Sequence, residues 1–512
     1  MQPSRTKNTA RNAVWGFLEK FVQMVLPFIT RTLILKLLSA KYLGLNGLFT
    51  SIITTLNLAD LGFGAAITYT MYKPIAENDN TALSAVLNYY KKIYRVIGFV
   101  VLGIGLLLMP FLPHLINDEV PADINIYLLF SIYLLNTVLS YMLFAYRKSL
   151  LHAYHRDDVQ SRIAVIMLFL QYGLQILMLL AFDSYYMYVI VMPIITLLGN
   201  IATAAITKKM YPEVMCRGKV GKETVVGIKR QVGGAFIGKI CGVTRSSISS
   251  MYISSFLGLT QVAIYSNYYY ILGAIHTFMT VITNSMIGGV GNSIIKDSLE
   301  KNYKDFSKFT FLYAWISGWF CTCLLCLYQP FMRIWVGDSL MLPFGTMALF
   351  CVYLYVMTLS DIKNVYYTAR GLWWEGRWRA VLEFAANAVL QFFAAKYFGI
   401  AGIMLSTIIT MASVNFLFDT YILFANYFTN ASLSEHVFRC LLYLLIAVAV
   451  SVVTYLVCAL LPFYGLLGLF VRAIVCAVLP NILFFLAYRK TSVFETAKPI
   501  FNQFIQKGKK LL

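Results

Sequence analysis

Apolar stretches of about twenty residues recur from one end of this chain to the other. As a helix rising about 1.5 Å per residue, such a stretch crosses the roughly 30 Å hydrocarbon core of a bilayer. We read spans at 14–38, 43–70, 95–115, 124–146, 160–182, 185–207, 231–256, 261–290, 309–330, 342–368, 379–398, 400–425, 437–461 and 464–488, about fourteen in all. The largest connection runs over 208–230, too short for a soluble domain. Lipid offers no partner for a bare peptide group, so each span must satisfy its own backbone. The sequence therefore predicts an all-α polytopic membrane protein. Charged residues make up 12% of the 512, against about 25% in soluble domains, which excludes a string of soluble domains.

The basic residues are distributed by side. The loops alternate, and one set, with both termini, holds 32 of the 42 Lys and Arg residues. The other set holds Lys41, Arg333 and Lys396, and its 116–123 loop is acidic. Positively charged loops stay in the cytoplasm, so both termini are expected there. The net charge of +20 then reflects insertion and anionic headgroups, and no nucleic-acid partner is expected. Trp373, Trp374 and Trp378 beside Arg377 and Arg379 read as an interfacial belt. Met1–Ala13 is polar and basic without an apolar core, so no cleaved signal peptide is expected.

A weak internal repeat is visible. LSAKYLGLNGLF (38–49) aligns with LGLTQVAIYSNY (257–268) at a shift of 219, and amphipathic stretches at 81–94 and 294–308 precede corresponding spans. These stretches read as helices lying at the membrane surface. The implied organisation is an N-terminal six-helix lobe (1–207), a cytoplasmic linker (208–230), a second six-helix lobe (231–425), and two extra helices with a basic tail (426–512). Paired repeats around a central site are a transporter plan.

Charges at membrane depth are costly and face a bundle interior or a wet cavity. Glu19, Lys20, Arg31, Lys36, Asp60, Lys239, Arg245, Asp361, Lys363, Glu383, Asp419 and Arg472 fall within spans. Asp361, Lys363, Glu383 and Asp419 sit near the cytoplasmic edge, where snorkelling or pairing suffices. Arg31, Lys239 and Arg245 lie deeper. At about 100° per residue, Glu19, Lys20, Gln23, Thr30 and Arg31 share one arc of the first span, with Pro27 in the same arc. On the seventh span Lys239, Ser246 and Ser250 share a face, with Arg245 at its edge. Such faces suit an anionic headgroup, since Arg presents a fork of donors to phosphate and Lys a point charge. Pairing, for example of Arg31 with Asp60, is the alternative. Asp60 stands in LADLGFGAAI (58–67), where Gly62 and Gly64 offer a hinge, an ion site or a close helix contact.

Other signals are rejected. RGKVGKET (217–224) has the wrong spacing for a phosphate-binding loop. Cys321, Cys323 and Cys326 lie in an apolar span without a nearby histidine and read as packing residues, so no metal and no cofactor is expected. No paired carboxylates or Ser/His/Asp set marks an enzyme.

The segment Arg5–Asp79 resembles the start of Wzx-type flippases of the multidrug/oligosaccharidyl-lipid/polysaccharide exporter (MOP) superfamily. The resemblance is carried by KNTARNAVWGF (7–17), RTLILKLLSAKYLGLNGLFTSI (31–52), LADLGFGAAI (58–67) and YKPIAENDN (72–80). It implies two six-helix lobes in a V around a central cavity, plus two C-terminal helices, in a bacterial cytoplasmic membrane. It implies alternating-access transfer of an undecaprenyl-diphosphate-linked oligosaccharide for cell-surface polysaccharide synthesis, alongside a polymerase and glycosyltransferases. Lys20, Arg31, Lys239 and Arg245 would then meet the diphosphate. Glu19, Asp60, Gly62 and Gly64 would serve ion coupling or hinging. A lipid II flippase and a cation-coupled multidrug antiporter are the alternatives within the superfamily.

Overall fold

The computed structural model describes residues 5–57 and 63–499, and among them there is no strand. The chain divides into two compact units, Met1–Ala263 and Ile264–Leu512.

The first unit carries α1 (Arg5–Leu37), α2 (Ala40–Leu56), α3 (Phe63–Ala76), α4 (Asn80–Leu108), α5 (Ile126–Met142), the short α6 (Lys148–Ala153), α7 (Asp157–Phe182), α8 (Tyr185–Met210) and α9 (Lys222–Leu257). α10 (Leu259–Lys296) begins in the first unit and continues into the second. The second unit adds α11 (Leu299–Val336), α12 (Phe344–Arg370), α13 (Arg377–Thr410), a π-helical segment (Met411–Phe418), α14 (Asp419–Asn426), α15 (Leu433–Ala459) and α16 (Gly465–Tyr488).

Among the described residues ten helical runs are long and apolar enough to cross a membrane, and an eleventh if α5 is joined to the 145–153 stretch across a 47° bend. The run Arg377–Asn426 contains two of the expected spans. Gly399 breaks it with φ 58° and ψ −141°. On either side Gln391 donates to Thr407 and Asn387 to Thr410, each at 2.9 Å, so the chain doubles back there. The expected 43–70 span falls on α2, on 58–62 outside the described residues, and on α3. The expected 231–256 span falls on α9, whose Lys239, Arg245 and serine-rich second half make it the polar member of the set.

The amphipathic stretches at 81–94 and 294–308 are not separate surface helices. Residues 81–94 are the first half of α4, and α11 is unbroken from Leu299. At about 1.5 Å per residue both helices exceed 40 Å, so their amphipathic beginnings extend past an apolar slab of about 30 Å.

Caps explain where these helices start. Asp79 accepts from the amides of Thr81 and Ala82 at 3.0 and 2.8 Å, opening α4. Ser298 accepts from Lys301 at 3.3 Å, opening α11. Both are acceptors for otherwise orphaned N–H groups. The two caps stand 219 residues apart. Helix starts at 40, 80, 126 and 157 recur at 259, 299, 344 and 377, offsets of 219, 219, 218 and 220. The weak repeat of the sequence is thus a repeat of helix boundaries.

In the first unit the core gathers Leu48, Phe49, Leu87, Phe130, Leu179 and Val189 from five helices. α9 packs on α2 and α3. Close approach is permitted at Gly44, where a Cβ would fall 2.1 Å from the Leu259 carbonyl oxygen. In the second unit Phe306, Tyr366, Leu423, Phe424 and Phe428 form an aromatic core. Large apolar side chains such as Leu107, Phe398 and Leu466 are more than 70% exposed, as lipid-facing positions require.

Candidate functional site

The alternating loops of the first unit gather at opposite ends of it. At one end the basic connections interlock. Arg11 and Arg156 both bind the fully buried Asp158, at 2.8 and 3.0 Å. The guanidinium of Arg162 lies 4.8 Å from the Trp15 ring centre. Asn88 donates to the Gly218 carbonyl at 2.9 Å, and the Met215 amide to Ser84 at 3.0 Å. Tyr211 stacks on Tyr154 at 4.2 Å, and burial pushes its hydroxyl up to about 12. A cleft of about 670 Å³ opens here, lined by Tyr72, Lys73, Pro74 and Glu77 of the YKPIAENDN motif and by Lys219. At the other end Lys41 binds Asp118 at 2.9 Å and Tyr42 donates to Asp123 at 2.5 Å. Asn117 donates from its amide to the Ser254 carbonyl at 3.1 Å.

Between these ends α1 presents the polar arc read from the sequence. Lys20 donates to Gln23, and Gln23 to Glu19, both at 3.2 Å. These three residues therefore form one chain of hydrogen bonds along the helix. Two turns further on, Thr30 is buried and Arg31 half-buried. Arg31 is within electrostatic range of the Tyr185 and Tyr188 hydroxyls of α8. Tyr185 meets Tyr133 at 3.0 Å, and Asn46 donates to Tyr133 at 2.9 Å. Tyr133, Tyr185 and Asn46 thus form a buried polar network built by α2, α5 and α8.

Of the other sequence-selected residues, Arg245 is half-buried on α9. Lys239 lies on α9 and Gly64 on α3, with side-chain surroundings outside what is described. Asp60 and Gly62 lie outside the described residues, so the pairing of Arg31 with Asp60 falls there too. Lys20 and Lys239 are 219 residues apart, the offset that relates the helix starts. Ser250, at that offset from Arg31, is buried.

The second unit resolves the charges placed near a membrane edge. Lys363 binds Asp419 at 3.0 Å, Arg379 binds Asp419 at 3.0 Å, and Arg379 binds Glu383 at 2.5 Å. Asn415 of the π-helical segment donates to Glu383 at 3.1 Å and accepts from Lys363 through its backbone and side-chain oxygens. Pairing, not snorkelling, accounts for Lys363, Glu383 and Asp419. The seam continues along α13, where Gln391 donates to Asn387 at 2.8 Å and to Thr407. Asp361 faces His276 of α10, Nε2 to Oδ2 at 3.3 Å. His276, Asn387, Gln391 and Asn415 were not singled out by sequence, and Arg379, read there as part of an interfacial belt, is paired with Glu383 and Asp419 instead. A polar residue recurring every fourth position on 379–391 is the signal that was there to use.

No family model and no curated protein sequence matches this chain. Solved structures do. An inward-facing multidrug-resistance MATE transporter of the MOP superfamily superposes with a TM-score of 0.59 at 14% identity, covering 80% of this chain and 96% of that one. Lipid II flippase MurJ, in an inward closed conformation, gives a TM-score of 0.64 at 14% identity, covering 93% and 98%. A MATE transporter of Vibrio cholerae gives 0.54 at 14%, covering 84% and 99%. The chain has the fold of MOP-superfamily transporters.

Proposed function

We propose that this protein is a flippase that carries an undecaprenyl-diphosphate-linked oligosaccharide across the bacterial cytoplasmic membrane by alternating access. It would work with the polymerase and glycosyltransferases of surface-polysaccharide synthesis. The observation that carries the reading is the polar face of α1. Lys20, hydrogen-bonded through Gln23 to Glu19, and Arg31, beside the α8 tyrosines, put two cations on one helix at lipid depth. A diphosphate is the anionic part of such a substrate. Arg31 binds it with two parallel donors and Lys20 as a point charge. Lys239 and Arg245 of α9 add further positive charge within the same unit. Glu19 or Asp60 would couple an ion to the movement, with Gly62 and Gly64 as the hinge.

The fold likeness to MurJ, over 93% of this chain, favours lipid II as the second reading, and lipid II shares the diphosphate. A cation antiporter calls for an acidic site, whereas the deep groups of α1 and α9 are mostly basic.

The test uses liposomes containing the protein, a fluorescent undecaprenyl-diphosphate oligosaccharide and an imposed ion gradient. An impermeant quencher reads the rate at which the inner-leaflet pool becomes accessible. Wild type is expected to accelerate quenching and Arg31→Ala to lose most of that acceleration. Acceleration with lipid II alone moves the reading to the second. No acceleration with either substrate overturns both.

A further inference from the structure

Three cysteines far apart in sequence meet in the second unit. Cys326 comes from α11, Cys458 from the last turn of α15 and Cys476 from the middle of α16. Their exposures are 3%, 2% and 1%. Their Sγ atoms all lie within 4.8 Å of one another. The sequence placed Cys326 in a local run with Cys321 and Cys323, where it reads as packing. The fold adds partners from two other helices, with Cys323 packed against the trio and its thiol directed to the Cys476 carbonyl at 3.7 Å.

We propose that Cys326, Cys458 and Cys476 form a binding site for a thiophilic monovalent cation of the Cu(I) class, which ties α15 and α16 to α11. Geometry is the first reason. Three sulfurs each about 2.3 Å from a shared centre stand about 4 Å apart. Closing the trio from 4.8 Å needs each Sγ to move by at most roughly half an ångström, within the width of a side-chain rotamer well. Donor type is the second. Three sulfur donors select a soft ion that accepts trigonal coordination, whereas structural zinc takes four ligands. A disulfide would use two of the three sulfurs and leave the third without a role.

Charge is the third reason. Arg472 donates through Nε to the Cys458 carbonyl at 3.2 Å, which fixes a guanidinium beside the trio. If two thiols release their protons to water as the metal enters and the third binds as a thiol, the centre carries one net negative charge. Arg472 offsets it, and the low-dielectric site stays near neutral. Proton release makes affinity rise with pH. Access is the fourth. A cavity of about 170 Å³ adjoins the site, lined by Cys326, Gln329, Arg333, Tyr455, Cys458 and Arg472.

The experiment needs no transport substrate. Full-length protein, purified reduced and without oxygen, is titrated with Cu(I) against the chelator bicinchoninate. Wild type is expected to hold one Cu(I) per chain against the chelator. X-ray absorption of that sample should show sulfur neighbours alone, at about 2.3 Å. Cys458→Ser and Cys476→Ser should each weaken retention at least tenfold, while Cys216→Ser, which removes a half-buried thiol of the first unit, should leave it unchanged. Wild type that surrenders all its Cu(I), or a metal edge with nitrogen or oxygen neighbours, overturns the proposal whether or not the variants fold. So does equal retention by well-folded Cys458→Ser and Cys476→Ser proteins, which returns the three thiols to simple packing.

Discussion

Lys363 and Asp419 hold one another at 3.0 Å with 2% and 1% of their side chains exposed. Asp419 also accepts from Arg379, which in turn binds Glu383. The four charges cancel. Such a group survives burial because every member is paired. The π-helical segment helps, since it brings both oxygens of Asn415 to the lysine ammonium.

Removing one member breaks that balance. Asp419→Ala leaves the buried Lys363 without its carboxylate and Arg379 with Glu383 alone, and truncating one partner of a buried pair costs about 3–5 kcal/mol. We expect a clear fall in thermal midpoint and loss of monodisperse protein in detergent. The double variant Lys363→Met/Asp419→Leu removes the pair and leaves Arg379 with Glu383. It is expected to be more stable than Asp419→Ala. A single variant as stable as wild type would mean that the pair contributes nothing to the fold.

Gly44 makes a second, sharper stability test. Its missing Cβ would lie 2.1 Å from a backbone oxygen of Leu259, which cannot swing aside as a side chain tip can. Gly44→Ala must therefore push α2 off the start of α10, and overpacking of this kind costs about 1–3 kcal/mol. Gly103→Ala on α4 meets nothing within 4 Å and gains helix propensity. The first is expected to lower the thermal midpoint and the second to leave it level or slightly higher.

Orientation is read from loop charge and is open to direct measurement. In vesicles of known sidedness, a cysteine placed at Glu119 should react with an impermeant maleimide from outside. One at Lys304 should react only after permeabilisation. Both positions are exposed, and most native thiols are buried, so background labelling is low. Reversed labelling would invert the topology derived from the 32 basic residues on one set of loops.

These tests separate what sequence could show from what it could not. The spans and the alternation of Lys and Arg are local properties, and they predicted the helical membrane fold. The arc of Glu19, Lys20 and Gln23 was legible because helical periodicity alone puts them together. The partners of Lys363 were not legible. Asp419 is 56 residues away, and its side chain arrives through a reversal at Gly399 and a π-helical turn, neither of which hydropathy reports. Likewise Cys326 has sequence neighbours that suggest nothing, while its spatial neighbours come from α15 and α16. His276 escaped notice because a formal charge count treats it as neutral, although it lies 3.3 Å from Asp361. Register between helices is the missing quantity in each case.

The repeat offset yields the last prediction. Lys20 and Lys239 are 219 residues apart, and that offset relates the starts of α2 and α10 and of α4 and α11. The two lysines therefore stand at equivalent positions of two repeated helices, whereas Arg31 has Ser250 as its counterpart. If both ammonium groups meet the substrate diphosphate, each makes a charge-assisted contact worth about 1.5–3 kcal/mol. Lys20→Ala and Lys239→Ala should then each slow flipping roughly ten- to a hundredfold. Arginine at either position should retain much of the rate, because charge is kept. The double alanine variant should fall further than either single one. Salt should weaken the wild type more than the double variant, since screening acts on the contact that the variant lacks. If Lys20→Ala flips substrate at the wild-type rate, its role is confined to the hydrogen-bonded chain with Gln23 and Glu19, and the diphosphate is met by the arginines alone.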